Sequence, residues 1–241
     1  MIHISEPQEK QIANADHQFH VVTRANRLIK LHRQHGASYQ VNFRGLELMM
    51  LQEVFCPVYG EGSQLLADCL NVQEGERVLE IGTGSGGLAI LSAAKAKSVI
   101  ATDISPIAVK CAIDNVKKHK LNDKIDIRQG DLFQPLSLQE KFSLILFNLP
   151  FMNGTPKTWL EVAMYDENYQ TLSRFFQDFN NYLTKKGRVL VAFSDAGDLK
   201  YLEKLIESSG FQFKAVTTMT NKLKFLVYEI KKQGHNEFLY Y

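Results

Sequence analysis

From Arg77 onward the chain alternates short apolar runs with longer segments of helical composition. RVLEIG, SVIATD, IDIRQ, FSLILFN and GRVLVAF are runs of strand length. LAILSAAKA follows the first run, and IAVKCAIDNVKKH follows the second behind Ser105-Pro106, an N-cap with proline at the first helical position. A long helical stretch is expected around Glu161 to Leu183, between the last two runs. This alternation predicts a doubly wound α/β fold of parallel strands with crossover helices on both faces. The end breaks the pattern. After a helix over Leu199 to Ser208 and a break at Gly210, FQFKAVTTM and KLKFLVYEI are joined by a short turn at Thr220-Asn221. Strands joined that tightly pair antiparallel, because a parallel pair needs a crossover of about a dozen residues. The sheet is therefore predicted to be mostly parallel and to finish in an antiparallel hairpin.

The leader reads differently. Residues 14–34 predict a helix with Phe19, Val22 and Ile29 on an apolar side and Arg24, Arg27, Lys30 and Arg33 elsewhere. YQVNF and LELMML around Arg44-Gly45 predict a β-hairpin, although the same stretch also suits a helix. LLADCLNV predicts a helix behind the segment Pro57 to Gln64. We divide the chain into an N-terminal extension, 1–55, and a main domain, 56–241.

The 241 residues suit one sizeable α/β domain with an extension. A net charge of +2 excludes a strongly basic nucleic-acid coat and leaves a local basic patch open. Cys56, Cys69 and Cys111 form no CxxC pair and are expected to be reduced thiols of a cytoplasmic protein. The first residues lack a signal-peptide core, and no stretch reaches the ~18 apolar residues of a membrane span. His3, His17, His20, His32 and His35 are too irregularly spaced to predict a metal site.

The chemistry starts at Glu80-Ile81-Gly82-Thr83-Gly84-Ser85-Gly86-Gly87, which closes the first run and opens a helix, the setting of a nucleotide-binding loop. Gly82, Gly84 and Gly87 also satisfy GxGxxG, so pattern alone leaves a dinucleotide open. A dinucleotide, however, puts a pyrophosphate on the helix N-terminus, and the Glu80 carboxylate opposes that charge. It suits a ligand with an ammonium group, such as the methionine end of S-adenosylmethionine. Asp103 stands where an acid accepts from ribose hydroxyls in either cofactor class. Asp131, in Gly130-Asp131-Leu132, reaches the same sheet edge, where a carboxylate can accept from an adenine amino group.

VLEIGTGSG, ATD and GDLF together resemble the class I S-adenosylmethionine-dependent methyltransferases, over roughly residues 56–230. The resemblance implies a Rossmann-like seven-stranded sheet, S-adenosylmethionine as methyl donor and S-adenosylhomocysteine as product. It places Glu80, Gly82, Thr83, Gly84 and Gly86 around the methionine part, Asp103 at the ribose with Ile104 beside it, and Asp131 with Leu132 at the adenine. Asn148-Leu149-Pro150-Phe151 resembles the Asn-Pro-Pro-(Tyr/Phe) motif of methyltransferases acting on protein glutamine, adenine N6 or guanine N2. Such nitrogens are poor nucleophiles, their lone pair being delocalised, until both hydrogens are held and the geometry is set. Asn148 and a main-chain carbonyl at Leu149 or Pro150 can each accept one N–H, and Phe151 offers a face for a planar group. Leu149 stands where the family has proline, which is expected to be tolerated there. Pro57 to Gln64 resembles the segment covering the cofactor's methionine end in glutamine N5-methyltransferases, which implies Tyr59 and Gln64 in that site.

The acceptor stays open: a protein glutamine, favoured by the upstream segment; a ribosomal or transfer RNA base, favoured by Phe151 and the basic leader; or a small molecule. A non-catalytic cofactor-binding module is the alternative of another class. Residues 1–55 are expected to recognise substrate and to be dispensable for cofactor binding.

Overall fold

The computed structural model describes residues 6–220 and 222–234, with side chains from residue 14 onward, so His3 and the predicted turn residue Asn221 lie outside it. The elements are α1 (Glu6–Arg33), β1 (Ser38–Phe43), β2 (Leu46–Leu51), α2 (Glu61–Asp68), β3 (Arg77–Ile81), α3 (Gly87–Ser92), β4 (Ser98–Asp103), α4 (Pro106–Lys118), β5 (Ile125–Gln129), β6 (Phe142–Asn148), α5 (Trp159–Val162), α6 (Gln170–Asp178), β7 (Leu183–Ser194), α7 (Leu199–Ser208), β8 (Phe211–Thr220) and β9 (Leu223–Lys232). Seven strands form one sheet in the order β5-β4-β3-β6-β7-β9-β8. β5, β4, β3, β6 and β7 pair in parallel, whereas β9 runs antiparallel to both β7 and β8. The mostly parallel sheet with its closing hairpin is thus present as predicted.

Alternate side chains of each central strand feed opposite faces. On β6, Leu144 and Leu146 pack with α2, α3 and α4, while Ile145 and Phe147 join Phe175 of α6, Phe179 just after it, and Leu202 and Ile206 of α7. Chain order reverses between β3 and β6, and the carboxyl ends of the strands at such a switch point leave a crevice.

Three expectations change. The helix over Glu161 to Leu183 is broken: Asn168 and Tyr169 both take positive φ, which a right-handed helix does not accommodate. The buried Asp166 instead accepts from the Thr171 and Leu172 N–H groups, each at 2.9 Å, and so anchors the first turn of α6. β7 already begins at Leu183. The apolar side of α1 is Val21, Ala25, Leu28 and His32, a stripe at helical spacing, whereas Phe19 and Val22 are 65% and 56% exposed. Finally, the helix near Gln64 starts earlier than expected, at Glu61, and ends at Asp68.

The leader hairpin is β1–β2, turning at Arg44 and Gly45, whose φ angles of 50° and 86° are those of a type I′ turn. Phe43, Leu48 and Met50 are buried in one core with Val78, Ala89 and Leu144, so packing joins this hairpin to the main sheet's body despite the division after residue 55. Among the described residues no helix is long and apolar enough to cross a membrane.

Candidate active site

The crevice is a cleft of about 180 Å³ at the ends of β3, β4 and β6. Glu80, on the last turn of strand β3 before the glycines, is 2% exposed and lines it. Thr83 Oγ1 donates to Glu80 Oε2 at 2.7 Å. Burial pushes the Glu80 carboxyl up to about 8, against the pull of that hydrogen bond. Gly82 and Gly84 take φ angles of 66° and 56°, which a side chain would strain. Asp103 accepts the Gly84 N–H at 2.8 Å on Oδ2 and the Ser105 N–H at 2.9 Å on Oδ1. Burial raises its pKa and these N–H groups oppose the rise. A carboxylate has about four acceptor positions, so Asp103 keeps capacity for ribose hydroxyls.

Ile104, Asp131 and Leu132 also line the cleft. Asp131 is already paired, however: Arg174 Nη1 of α6 lies 2.5 Å from its Oδ2. Gly86 does not reach the cleft. It takes φ 82° at the start of α3 and packs against Ala112 of α4, so its role there is conformational.

Tyr59 and Gln64 point elsewhere. The Tyr59 hydroxyl lies 2.6 Å from His35 Nε2, and its carbonyl accepts from Arg24 at 2.9 Å. Gln64 Nε2 donates to the Pro57 and Val58 carbonyls, bracing the loop from outside. Their neighbours Phe55, Pro57 and Ser63 line the cleft in their place, joined by Glu53, Trp159, Val162, Ala163, Thr171 and Arg174. Sequence reasoning missed these because they sit on the chain from Glu53 to α2 and on the broken segment from Trp159 into α6, none of which ends a strand. The one weak signal was Trp159, the single tryptophan, 38% exposed at the cleft mouth.

Asn148, ending β6, donates from Nδ2 to Ser63 Oγ at 2.9 Å. Its Oδ1 is buried without a hydrogen-bond partner. A second cavity of about 40 Å³ adjoins the cleft, sharing Phe55, Asn148 and Ala163 with it. Its remaining walls include Arg24 and Leu28 of α1, Gly62 of α2, Leu149, Phe151 and Phe225. The tetrapeptide is therefore split: Pro150 faces the cleft, whereas Leu149 and Phe151 face the smaller cavity. Phe151 packs edge-on against Phe193 and Phe225. The Leu149 N–H donates to the Ala192 carbonyl at 3.3 Å, a bond that proline would remove, contrary to the tolerance expected there.

α1 is fastened over this second cavity. His32 is buried; its Nδ1 lies 2.7 Å from the Leu28 carbonyl and its Nε2 accepts the Cys56 N–H at 2.8 Å. A carbonyl can only accept and an amide N–H only donate, so these partners fix the neutral tautomer with hydrogen on Nδ1. Burial lowers the His32 pKa, in agreement. Arg24 pairs with Glu61 of α2.

The donor set fits one ligand. A buried carboxyl in reach of an ammonium group, a second acid with spare acceptor positions beside glycines of positive φ, and an apolar wall at Ile104 and Leu132 match the three parts of S-adenosylmethionine. Comparison with known proteins agrees. The sequence profile of the family described as Methyltransferase small domain matches residues 45–229. A relative from Methanocaldococcus jannaschii, which bears the provisional name protein N5-glutamine methyltransferase, is 33% identical over 173 residues, spanning 68% of this chain and 85% of its own. A release factor glutamine methyltransferase of Dictyoglomus turgidum is 32% identical over 126 residues, 48% of this chain and 45% of the relative. Among solved structures, the 16S rRNA N2 G1207 methyltransferase of T. thermophilus, in complex with AdoMet and guanosine, superposes with a TM-score of 0.61 at 19% identity, covering 81% of this chain and 50% of that one. The chain thus spans about half the length of these last two and most of the first. It belongs to the methyltransferase small domain family and is an S-adenosylmethionine-dependent methyltransferase.

Proposed function

We propose that the chain methylates the side-chain amide nitrogen of a glutamine in a protein. The observation that carries this reading is Asn148, whose amide nitrogen is tied to Ser63 while its Oδ1 is buried and unpartnered at the junction of the two cavities. An unpartnered buried acceptor is costly and is relieved by a substrate N–H. The smaller cavity supports the amide. At about 10–15 Å³ per water-sized group, its 40 Å³ admits about three such groups, the size of a carboxamide head. The names of the M. jannaschii and D. turgidum relatives point the same way.

When bound, the cofactor supplies an electrophilic methyl group on a sulfonium. Glu80 and the Gly82–Gly84 backbone hold the amino-acid end, Asp103 the ribose, and Asp131 with Leu132 the adenine, Asp131 sharing its carboxylate with Arg174. Asn148 Oδ1 accepts one hydrogen of the acceptor amide and a carbonyl at Leu149 or Pro150 the other, which aims the nitrogen at the cleft. Catalysis is then positioning and transition-state electrostatics, with no strong base needed. α1 forms part of the acceptor side, while the β1–β2 hairpin supports the cofactor side.

A base in RNA is the second reading, favoured by the exposed Arg27, Lys30 and Arg33 on α1. Labelled S-adenosylmethionine incubated with extract of cells lacking the protein, followed by fractionation into protein, RNA and small molecules, decides. Label recovered in protein as N-methylglutamine is expected; label confined to RNA or small molecules overturns the reading.

A further inference from the structure

Two residues that line the small cavity each carry a buried polar atom without a hydrogen-bond partner, and the two atoms differ in kind. Asn148 Oδ1 is an acceptor; Arg24 Nε is a donor. Arg24 sits on α1 between Val21 and Ala25 of the buried stripe, and its Nη2 is engaged by the Tyr59 carbonyl and the Glu61 carboxylate. Those bonds fix the guanidinium through Nη2 and leave Nε–H over. The other walls are apolar or aromatic apart from Glu61, whose carboxylate the guanidinium already occupies. A group that fills this space and satisfies both atoms must donate at one end and accept at the other. A primary carboxamide does so, its N–H meeting Asn148 and its carbonyl oxygen meeting Arg24. A carboxylate lacks the N–H, and an alkyl chain satisfies neither.

We propose that Arg24, on the N-terminal helix, is a specificity-determining residue that reads the carbonyl oxygen of the acceptor amide. This rests on the glutamine reading above and adds to it a second polar contact from outside the Asn-Leu-Pro-Phe segment. Because that contact polarises the carbonyl away from nitrogen, it belongs to selection and orientation of the acceptor, and methyl transfer itself still depends on Asn148. Arg24 is accordingly turned inward and paired, unlike the exposed Arg27, Lys30 and Arg33 of the same helix.

The test uses the full chain as wild type, Arg24→Met and Arg24→Lys, with labelled S-adenosylmethionine and the protein and RNA fractions of extract from cells lacking the protein. Three quantities are read: methyl transfer into each fraction, S-adenosylhomocysteine affinity by calorimetry, and the thermal midpoint. Lysine can pair with Glu61 but has no Nε–H in the guanidinium plane, so it separates the tie from the recognition. The expected result is label in protein glutamine, S-adenosylhomocysteine affinity within threefold in both variants, and a thermal midpoint restored by lysine. Yet kcat/KM falls about 10- to 100-fold in both, the loss of one hydrogen bond to a charged donor. Recovery of turnover together with stability in Arg24→Lys shows that Arg24 only ties α1 to α2 and overturns the inference while leaving the glutamine reading standing. Full turnover on protein by Arg24→Met does the same. Label confined to RNA overturns both. If Arg24→Met does not fold, Arg24→Lys alone decides.

Discussion

Asn148 gives its amide N–H to Ser63 Oγ at 2.9 Å, and that single bond leaves Oδ1 as the end of the side chain without a partner. Gly62, next to Ser63, leaves the room this arrangement needs, since a Cβ there would stand 2.9 Å from Asn148 Oδ1. Removing Ser63 should free the amide to rotate. Ser63→Ala is expected to lower kcat about 10-fold, the value of one neutral hydrogen bond, and Asn148→Ala by about 10²–10³ as for other positioned transition-state partners. Both should hold S-adenosylhomocysteine within a few-fold by calorimetry. Normal methylation by Asn148→Ala would reduce the segment to a turn.

Glu80 makes cofactor binding proton-linked. Its folded carboxyl is pushed up to about 8 from an ordinary value near 4.5, so at pH 7 the ligand-free cleft holds it largely protonated. A bound ammonium group favours the ionised form, so binding must release a proton. Affinity should rise by up to tenfold per pH unit below about 8 and level off above it. Calorimetry in two buffers of different ionisation enthalpy should show close to one proton released at pH 7, and none for Glu80→Gln. The stability sign is opposite to that of a salt-bridged acid: the ligand-free protein loses stability as pH rises from about 4.5 to about 8, and Glu80→Gln should remove that loss. A binding curve flat from pH 6 to 9 rules the linkage out.

His32 makes the attachment of α1 acid-sensitive. Its folded pKa lies below the ordinary 6.5 because burial disfavours the cation, so its contribution is complete above about 6.5 and is lost as pH falls through the folded value. Protonation would set Nε2–H against the Cys56 N–H. The thermal midpoint should therefore drop between pH 7 and pH 5 in the wild type, and His32→Gln should start lower and change less. The charged and titratable neighbours facing the ring are His35 and Glu53, with Tyr59 edge-on, and a drop that persists unchanged in His32→Gln would trace to one of them.

Gly197 fixes the height of the loop behind Asn148. A Cβ at that position would overlap the Phe151 carbonyl oxygen and stand 2.9 Å from the Phe193 ring. Gly197→Ala should push the segment outward, lowering turnover at least tenfold, as a displacement near 1 Å does in positioned sites, with cofactor affinity retained. Equal turnover by the alanine variant would show that the loop yields without consequence.

What could be read in the sequence was set by strand ends. Glu80, Asp103 and Asn148 finish hydrophobic runs, and parallel strands in a doubly wound sheet bring those ends to one edge, so order along the chain translated into position. Tyr59 and Gln64 lie outside the cleft lining because their segment, a short loop running into the first turn of α2, ends no strand: Pro57 and Ser63 line the cleft, while the Tyr59 hydroxyl meets His35. The stripe on α1 was misjudged for a related reason. Its buried face is Val21, Ala25, Leu28 and the polar His32, so the apolar side chains of Phe19 and Val22, which the fold leaves in water, pointed to the wrong side of the helix. The broken helix after Glu161 was hidden because Asp166 looks like an ordinary surface acid until its carboxylate is seen holding two backbone N–H groups.

On the proposed reading, methyl donor and methyl acceptor are housed by different stretches of this chain, and Asn148 lines both cavities. The cofactor side combines the strand ends with Glu53, Phe55, Pro57 and Ser63; part of the opposite chamber is lined by Val21, Arg24 and Leu28 of α1, which packs on Met152, Met164, Leu223 and Phe225 in one apolar cluster. Leu223 and Phe225 belong to β9, so residues on that side of α1 can be exchanged where the apolar contacts of Val21, Ala25 and Leu28 with them are kept. A chimera carrying the first helix of a relative would inherit that relative's choice of acceptor while keeping its own grip on the methyl donor.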